Sequence, residues 1–248
     1  MHKLSAPQIR VGNPDGDGGY IIHDLSGSYD CLLSGGIADN IQFEEDFLRR
    51  NPGILCFAFD GTIPALPKTG APICFVNKNL GPTSSDTVTN LNDYFSLFSD
   101  IFLKLDIEGH EFVLLPSMFE HMHKVKQIVI EFHTPTDIRA HPDYYKGLAN
   151  ITDETMFEIL KTLSTTHVLT HFHPNNGCKV HDVRGIRCPN VFECTYVRKD
   201  YAKGAVLNTD PIPSPLDRPN HSWYPEHVLT GPPFVFDVVL DKGGDIPP

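Results

Sequence analysis

The sequence predicts an α/β fold in which helices cover both faces of a mostly parallel β-sheet. Seven short apolar runs, rich in residues that favour strands, occupy positions 29–34, 54–60, 73–77, 101–106, 128–133, 167–173 and 191–197. Most of these runs are nearly continuous, which is typical of parallel strands buried on both faces. A chain of 248 residues with a hydrophobic fraction of 40% lies near the upper limit for one core. One large domain, with or without appendages, is therefore expected.

Three segments between these runs predict helices. They span residues 39–50, 85–99 and 152–164. In the first, Asp39 or Asn40 can cap the start, acidic residues follow early, and two arginines stand at the end. This order of charges complements the helix dipole. The last segment places its apolar residues on one helical stripe, as expected for a helix packed on a sheet.

The composition changes after Gly204. Nine prolines and a single strand-like run, at 234–240, fall between there and the C-terminus. We predict a domain over residues 1–204, with a glycine-rich segment at 1–28, and a Pro-rich extension over 205–248 that packs on it. Trp223, the only tryptophan, is expected to pack against the domain.

Charge and patterning exclude several classes of protein. Acidic residues outnumber basic ones by 31 to 20, and the longest basic cluster is the pair Arg49 and Arg50. Binding to nucleic acid or to an anionic membrane is not expected. The sequence has no leader-like N-terminus and no run of membrane-spanning length, so we predict a soluble cytoplasmic protein, either whole or one domain of a larger chain. The six cysteines are expected to be reduced thiols.

A stretch at positions 13–24, N-P-D-G-D-G-G-Y-I-I-H-D, spaces its oxygen-bearing side chains as an EF-hand calcium loop does. The twelfth place, however, carries Asp24 where such loops have glutamate. The preceding stretch contains Pro7, Gly12 and Pro14, and the following one resembles a strand, so the flanking helices are missing. We therefore predict a glycine-rich turn in preference to a calcium site.

Two features point to a nucleotide-like cofactor. The first predicted strand runs into S-G-G-I at 34–37 and then into a helix, which would let a ligand approach the backbone. The second is Asp60, which ends the next predicted strand 24 positions after Gly36. Nucleotide-binding α/β folds hold the ribose hydroxyls with a carboxylate in this place. Together the two features favour a cofactor that contains ribose.

The most specific motif is L-K-L-D-I-E-G-H-E-F at 103–112. An apolar strand ends there in Asp106, at the edge of the sheet where α/β proteins bind their ligands. K-L-D-I-E-G-H-E resembles the motif of FkbM-type methyltransferases, which transfer a methyl group from S-adenosylmethionine to hydroxyl groups, often on sugars. The resemblance extends to the glycine turn, to L-G-P-T-S-S-D before the motif, and to I-V-I-E-F-H and H-F-H-P-N-N after it, over roughly residues 10–200.

The resemblance implies a fold and a cofactor site. The fold is a Rossmann-like seven-stranded sheet with one antiparallel strand near an edge, the class I methyltransferase fold. The residues expected to bind S-adenosylmethionine are Tyr20, Ser34, Gly35, Gly36, Ile37, Asp60 and Gly61. Asp15, Gly18 and Gly19 would form a lip of that pocket with Tyr20. The chain departs from the family pattern in its first turn, where S-G-G-I-A-D replaces an acid-x-G-x-G sequence.

Removal of a proton from the acceptor hydroxyl needs a base or a divalent cation. The catalytic candidates are Asp106, Glu108 and His133. If the strands that end at Asp106 and at His133 are neighbours, their oxygen and imidazole groups converge and suit Mg²⁺ or Mn²⁺. The metal candidates are Asp106, Glu131, His133 and His173. Without a metal, His133 or Glu108 is the candidate base, and Glu131 could instead pair with Lys104.

Two other kinds of function stay open from the sequence. Histidines and cysteines cluster within 171–194 and could form a structural zinc site, although their spacings do not match the usual pairs. The chain could also be a binding module that has the Rossmann-like shape without catalysis. The acceptor expected from the resemblance is a sugar or glycan.

Overall fold

The computed structural model describes residues 1–183 and 185–237, and a seven-stranded sheet forms its centre. The strands are β1 (Cys31–Gly35), β2 (Leu55–Phe59), β3 (Cys74–Val76), β4 (Ile101–Leu105), β5 (Val125–His133), β6 (His167–Pro174) and β7 (Val191–Arg198). Their order across the sheet is β6-β7-β5-β4-β1-β2-β3. Strand β7 runs antiparallel to both its neighbours, and the other pairs are parallel. All seven predicted strands are present, and the predicted fold class is confirmed.

The helices are α1 (Gln42–Arg50), α2 (Asn92–Leu97), α3 (Glu111–Leu114), α4 (Pro135–Ala140) and α5 (Asp153–Thr166), with a 3₁₀ segment at Leu115–Lys124. The helix predicted over 85–99 is wrong in its first half. Val88–Thr89 instead forms a short strand with Asn79–Leu80, and the Asn90 side chain accepts the amide of Asn92 at 3.2 Å, where the helix begins. Serine, threonine and asparagine favour such local hydrogen bonds over helix.

The central sheet is buried on both faces, which explains the continuous apolar runs. Because successive side chains point to opposite faces, Phe102 packs on the α1 side, where its ring lies 4.4 Å from that of Phe47. Leu103 faces the opposite core cluster, together with Ile128 and Ile130 of β5. Strands that are covered in this way cannot show the polar alternation of a half-exposed sheet.

The stretch at 13–24 belongs to an N-terminal hairpin, whose strands are Gln8–Gly12 and Gly19–His23. Within its loop the Asn13 side chain accepts the amide of Asp15 at 3.1 Å, which is a turn hydrogen bond. Strands, and not helices, flank the loop, so the prediction of a turn in place of a calcium loop is confirmed. Three more two-stranded pairs join His2–Lys3 with Val206–Leu207, Asn79–Leu80 with Val88–Thr89, and Val180–Val183 with Ile186–Pro189.

Part of the C-terminal region contacts the main core. The ring of Phe234 lies 4.7 Å from that of Phe172, and Ile212 and Leu229 are buried in the same cluster. The expectation for Trp223 is wrong, because its side chain is 87% exposed. Of the predicted strand-like run, 234–237 is not a strand and 238–240 lies outside the described residues. The division at 204/205 stays a prediction.

Two further expectations concern the whole chain. All six cysteines are unpaired, and four of them are buried. Among the described residues, no helix combines the length and apolar character needed to cross a membrane.

Candidate active site

A cleft of about 750 Å³ opens at the carboxyl edge of the parallel strands. Its walls come from the segments that follow β1, β2 and β4, together with Glu131 of β5 and the hairpin residues Asp17 and Gly18. Strands β2, β1, β4 and β5 are consecutive neighbours, so the cleft crosses three strand spacings, about 14 Å. This is the edge at which ligands bind in open α/β sheets.

The glycine turn after β1 forms one end of the cleft. Gly36 has a φ of +74°, and a Cβ atom added there would lie 1.7 Å from the carbonyl oxygen of Asp106. Only glycine can therefore occupy this position. Its amide donates to the carbonyl of Phe59 at 3.0 Å, which ties the turn to the end of β2. The close approach also brings the cofactor turn and the D-I-E-G motif into direct contact.

Asp60 holds this turn from the tip of β2. One carboxylate oxygen accepts the amides of Ile37 and Ala38 at 3.1 and 2.9 Å, and the other accepts the amide and hydroxyl of Thr62. Burial favours a neutral carboxyl, yet these four hydrogen bonds lower the pKa of Asp60. A carboxylate has about four acceptor sites, and protein donors fill that number here. Asp60 lines the cleft, but it also serves as a strut for the turn.

The structure divides the seven predicted cofactor residues into two groups. Gly36, Ile37 and Asp60 line the cleft, and the other four do not. Ser34 is buried and donates its hydroxyl to Glu44, and a Cβ on Gly35 would lie 2.5 Å from the Leu80 side chain. The amide of Gly61 donates to the Asn79 side chain at 3.0 Å.

Tyr20 completes that second group in a different way. Its ring is buried, and its hydroxyl donates to Asp106 at 3.0 Å. The lip predicted near the N-terminus is occupied by Asp17 and Gly18. The sequence also missed wall residues that follow β3, namely Asn79, Leu80, Gly81 and Pro82. The only available signal was the L-G-P stretch quoted for the family resemblance.

Three of the predicted catalytic and metal residues meet beyond the glycine turn. One ligand atom each from Asp106, Glu108 and His133 lies within 4.8 Å of the other two. Nε2 of His133 lies 3.2 Å from a Glu108 oxygen and is buried without a hydrogen-bond partner. Glu108 has a φ of +57°, an uncommon conformation for a non-glycine residue. We call these three residues the acidic cluster.

Two residues that the sequence did not single out orient the histidine of the acidic cluster. Nδ1 of His133 lies 3.1 Å from an Asp137 oxygen and 2.6 Å from the Tyr145 hydroxyl, which itself donates to Asp137 at 2.7 Å. All three side chains are buried. A carboxylate on Nδ1 keeps that nitrogen protonated and leaves the Nε2 lone pair facing the cluster. The spacing H-T-P-T-D was the only sequence signal for this pair.

Glu131 lies beside the acidic cluster. Burial and the neighbouring Asp106 carboxylate raise the pKa of Glu131 well above its usual value. Two carboxyl groups so close together share a proton at neutral pH. One Glu131 oxygen also accepts from Asn175 at 3.2 Å. Lys104 is directed elsewhere, because its ammonium donates to the Gly36 carbonyl at 2.6 Å, so the alternative of a Glu131–Lys104 pair is not supported.

The structure does not bring His173 into this group. Its two ring nitrogens lie 3.1 Å from Glu193 and 3.3 Å from Glu226. His171 is likewise paired with Asp217 at 2.9 Å. Within the described ranges 1–183 and 185–237, the acidic cluster is the only group of three or more such side chains with metal-site geometry. The zinc site considered for 171–194 is therefore not assembled there.

No protein-family model matches the sequence, and no curated protein matches it either. Solved structures with a similar fold are methyltransferases. One is the plantazolicin methyltransferase BpumL, at 10% identity and a TM-score of 0.41 over 69% of this chain and 77% of that one. Another is the precorrin-6y C5,15-methyltransferase from Geobacter metallireducens GS-15, at 10% identity and a TM-score of 0.37 over 70% and 82%. The function proposed below rests on the residues of this chain.

Proposed function

We propose that this protein is an S-adenosylmethionine-dependent O-methyltransferase that acts on a hydroxyl group of a sugar or glycan, with a divalent cation held by the acidic cluster. One observation carries the proposal. A single cleft joins the glycine turn, built for close approach of a ligand to the backbone, with a set of oxygen and imidazole groups that can act on a hydroxyl. The FkbM resemblance adds the cofactor and the acceptor class.

The glycine turn supplies the cofactor end. Gly36 and Ile37 leave the wall low enough for a nucleoside to lie against the backbone, and Asp60 fixes their geometry. The ribose role of Asp60 stays a prediction, since bound ribose would have to share acceptor sites that Thr62 now fills. The methyl group must then point along the cleft toward the acidic cluster.

The acidic cluster fits a divalent cation. The buried, unpartnered Nε2 of His133 faces the carboxylates of Asp106 and Glu108, a set of two oxygen ligands and one nitrogen ligand. Such a set suits Mg²⁺ or Mn²⁺ better than zinc. A cation held there would lower the pKa of a bound hydroxyl.

The residues of the cluster position the acceptor and handle its proton. Methyl transfer needs the acceptor oxygen in line behind the methyl group, and fixed side chains provide that orientation. Glu108, whose side chain is half exposed at the cleft, lies where it can accept the hydroxyl proton. In a metal-free variant of the mechanism, His133 or Glu108 alone is the general base.

Calorimetric titration with S-adenosylhomocysteine, repeated in the presence of EDTA, tests the proposal. We expect one binding site per chain, and we expect methyl transfer to a glycan to be lost with EDTA and restored by Mn²⁺. Absence of binding in both conditions would contradict the methyltransferase proposal. Binding and turnover that both ignore EDTA would leave the enzyme and remove the metal.

A non-catalytic binding module is the second candidate, because its shape would be the same. The strained Glu108 and the orphaned His133 nitrogen argue for chemistry over mere binding, since such features cost stability unless a ligand uses them. Tight binding of S-adenosylhomocysteine without any transfer to a glycan panel would favour the binding module.

A further inference from the structure

The loop 220–226 presents the only tryptophan of the chain to solvent. Trp223 is 87% exposed and its neighbour Tyr224 is 57% exposed. Large aromatic side chains are normally buried for most of their surface, so two exposed ones in succession mark an interaction surface. We call Trp223 and Tyr224 the aromatic pair.

The loop is firmly anchored. The buried side chain of Asn176 donates to the carbonyls of His221 and Tyr224 at 2.9 and 2.8 Å and accepts the amide of His221 at 2.9 Å. The His221 ring fills the space where a Cβ on Gly177 would lie, 2.1 Å away. Glu226, at the other end of the loop, pairs with the buried His173. An exposed aromatic pair on a fixed support loses little conformational entropy when it binds a partner.

Two hydrogen bonds connect this loop to the wall of the cleft. Asn220 donates to Asp17, which lines the cleft, at 3.1 Å. Asn175, the neighbour of Asn176, donates to Glu131, which lines the cleft beside the acidic cluster. Trp223 is three residues from Asn220, so the two Cα atoms are at most about 11 Å apart. The aromatic pair therefore continues the surface of the cleft outward.

From this continuity we propose that the aromatic pair is a second sugar-binding subsite for an acceptor glycan longer than one residue. The inference rests on the proposed function. Aromatic faces stack on the apolar face of a sugar ring, and polar groups beside them bind its hydroxyls. Asn220 and Glu193, joined at 2.8 Å next to the loop, supply such groups. The subsite holds the distal sugars while the acidic cluster engages the reacting hydroxyl.

The single tryptophan makes the test direct, because intrinsic tryptophan fluorescence reports on Trp223 alone. The probes are gluco-, manno-, galacto- and N-acetylglucosamine hexasaccharides, each with its monosaccharide. We expect one hexasaccharide to shift the emission to shorter wavelength and its monosaccharide to leave it unchanged. Trp223→Ala should weaken the binding of that hexasaccharide about three- to tenfold by calorimetry, within the range of a single aromatic contact.

Leu55→Ala is the matched control, because Leu55 is a half-exposed apolar residue at the amino end of β2, opposite the cleft. It should leave hexasaccharide binding unchanged. No emission shift with any of the glycans, or equal weakening by both variants, would overturn the inference. Titration of the same samples with S-adenosylhomocysteine separates the two levels. If that ligand binds while the tryptophan stays silent, only the subsite is wrong; if it does not bind, the proposed function fails.

Discussion

Asp60 and His133 stand at opposite ends of the cleft and differ in how completely the protein satisfies them. Asp60 accepts four hydrogen bonds from its own chain, which matches its capacity. His133 uses Nδ1 on Asp137 and Tyr145 but leaves Nε2 buried and unpartnered. A satisfied group builds the wall, and an unsatisfied buried one indicates a missing ligand. The predictions below test this contrast, beginning with the largest effect.

Asp106→Asn should reduce methyl transfer more than about a thousandfold, equivalent to about 4 kcal/mol of transition-state stabilisation. The substitution removes one negative ligand but keeps an acceptor for the Tyr20 hydroxyl, so the fold should survive. Transfer from labelled S-adenosylmethionine measures the loss, and circular dichroism checks the fold. Wild-type turnover in this variant would move the chemistry away from the acidic cluster.

Asp60→Ala should lower the free energy of unfolding by about 3 kcal/mol, because several hydrogen bonds to a charged, buried acceptor are lost. Binding of S-adenosylhomocysteine should weaken as well, since the turn loses its support. Urea unfolding and calorimetry measure the two effects. Weakened binding with unchanged stability would mean that the carboxylate serves the ribose and not the turn.

Asp137→Asn should weaken Mn²⁺ binding about ten- to a hundredfold while leaving S-adenosylhomocysteine affinity unchanged. The amide cannot hold His133 in the required tautomer as the carboxylate does. Electron paramagnetic resonance counts free Mn²⁺ in each titration. Asp143→Asn, an exposed carboxylate in the same segment, is the control and should have no effect. Equal loss in the two variants would count against the positioning role.

The smallest effect per step concerns His173, which the structure places in an anchor for the C-terminal region. Burial opposes its charge, yet the hydrogen bonds to Glu193 and Glu226 raise the pKa of His173 to about 10. A raised pKa stabilises the fold fully below pH 6.5 and progressively less up to about pH 10. One proton limits the slope to about 1.4 kcal/mol per pH unit.

His173→Gln should remove that slope and leave Mn²⁺ affinity unchanged. Unfolding by urea between pH 6 and pH 10 measures the stability, and the same resonance assay measures the metal. A marked drop in Mn²⁺ affinity would return His173 to the metal ligands.

Most of the fold followed from the sequence because both faces of the sheet are covered. The continuous apolar runs marked every strand of the central sheet, and the sequence separation of the two strands did not hide that β4 and β5 are neighbours. The start of α2 was missed, since its preceding serine and threonine residues bond locally. Trp223 was misjudged because a loop can hold an aromatic residue outward, which its type alone does not show.

The candidate site was only partly predictable for a related reason. Asp106, Glu108 and His133 come together because strand order brings their segments to one edge, and the motif marked that edge. Tyr145 and His173 depend on side-chain partners far apart in the sequence. Tyr145 lies in an irregular segment yet reaches His133, whereas His173 finds Glu226 across 53 positions. Such pairings leave no periodic signal.

Anomalous diffraction from crystals grown with S-adenosylhomocysteine and MnCl₂ tests both ends of the cleft at once. The expected result is one manganese peak bounded by Asp106, Glu108 and Nε2 of His133, with the nucleoside lying against Gly36 and Ile37. A manganese peak elsewhere, with the acidic cluster empty and the cleft free of nucleoside, would contradict the central claim.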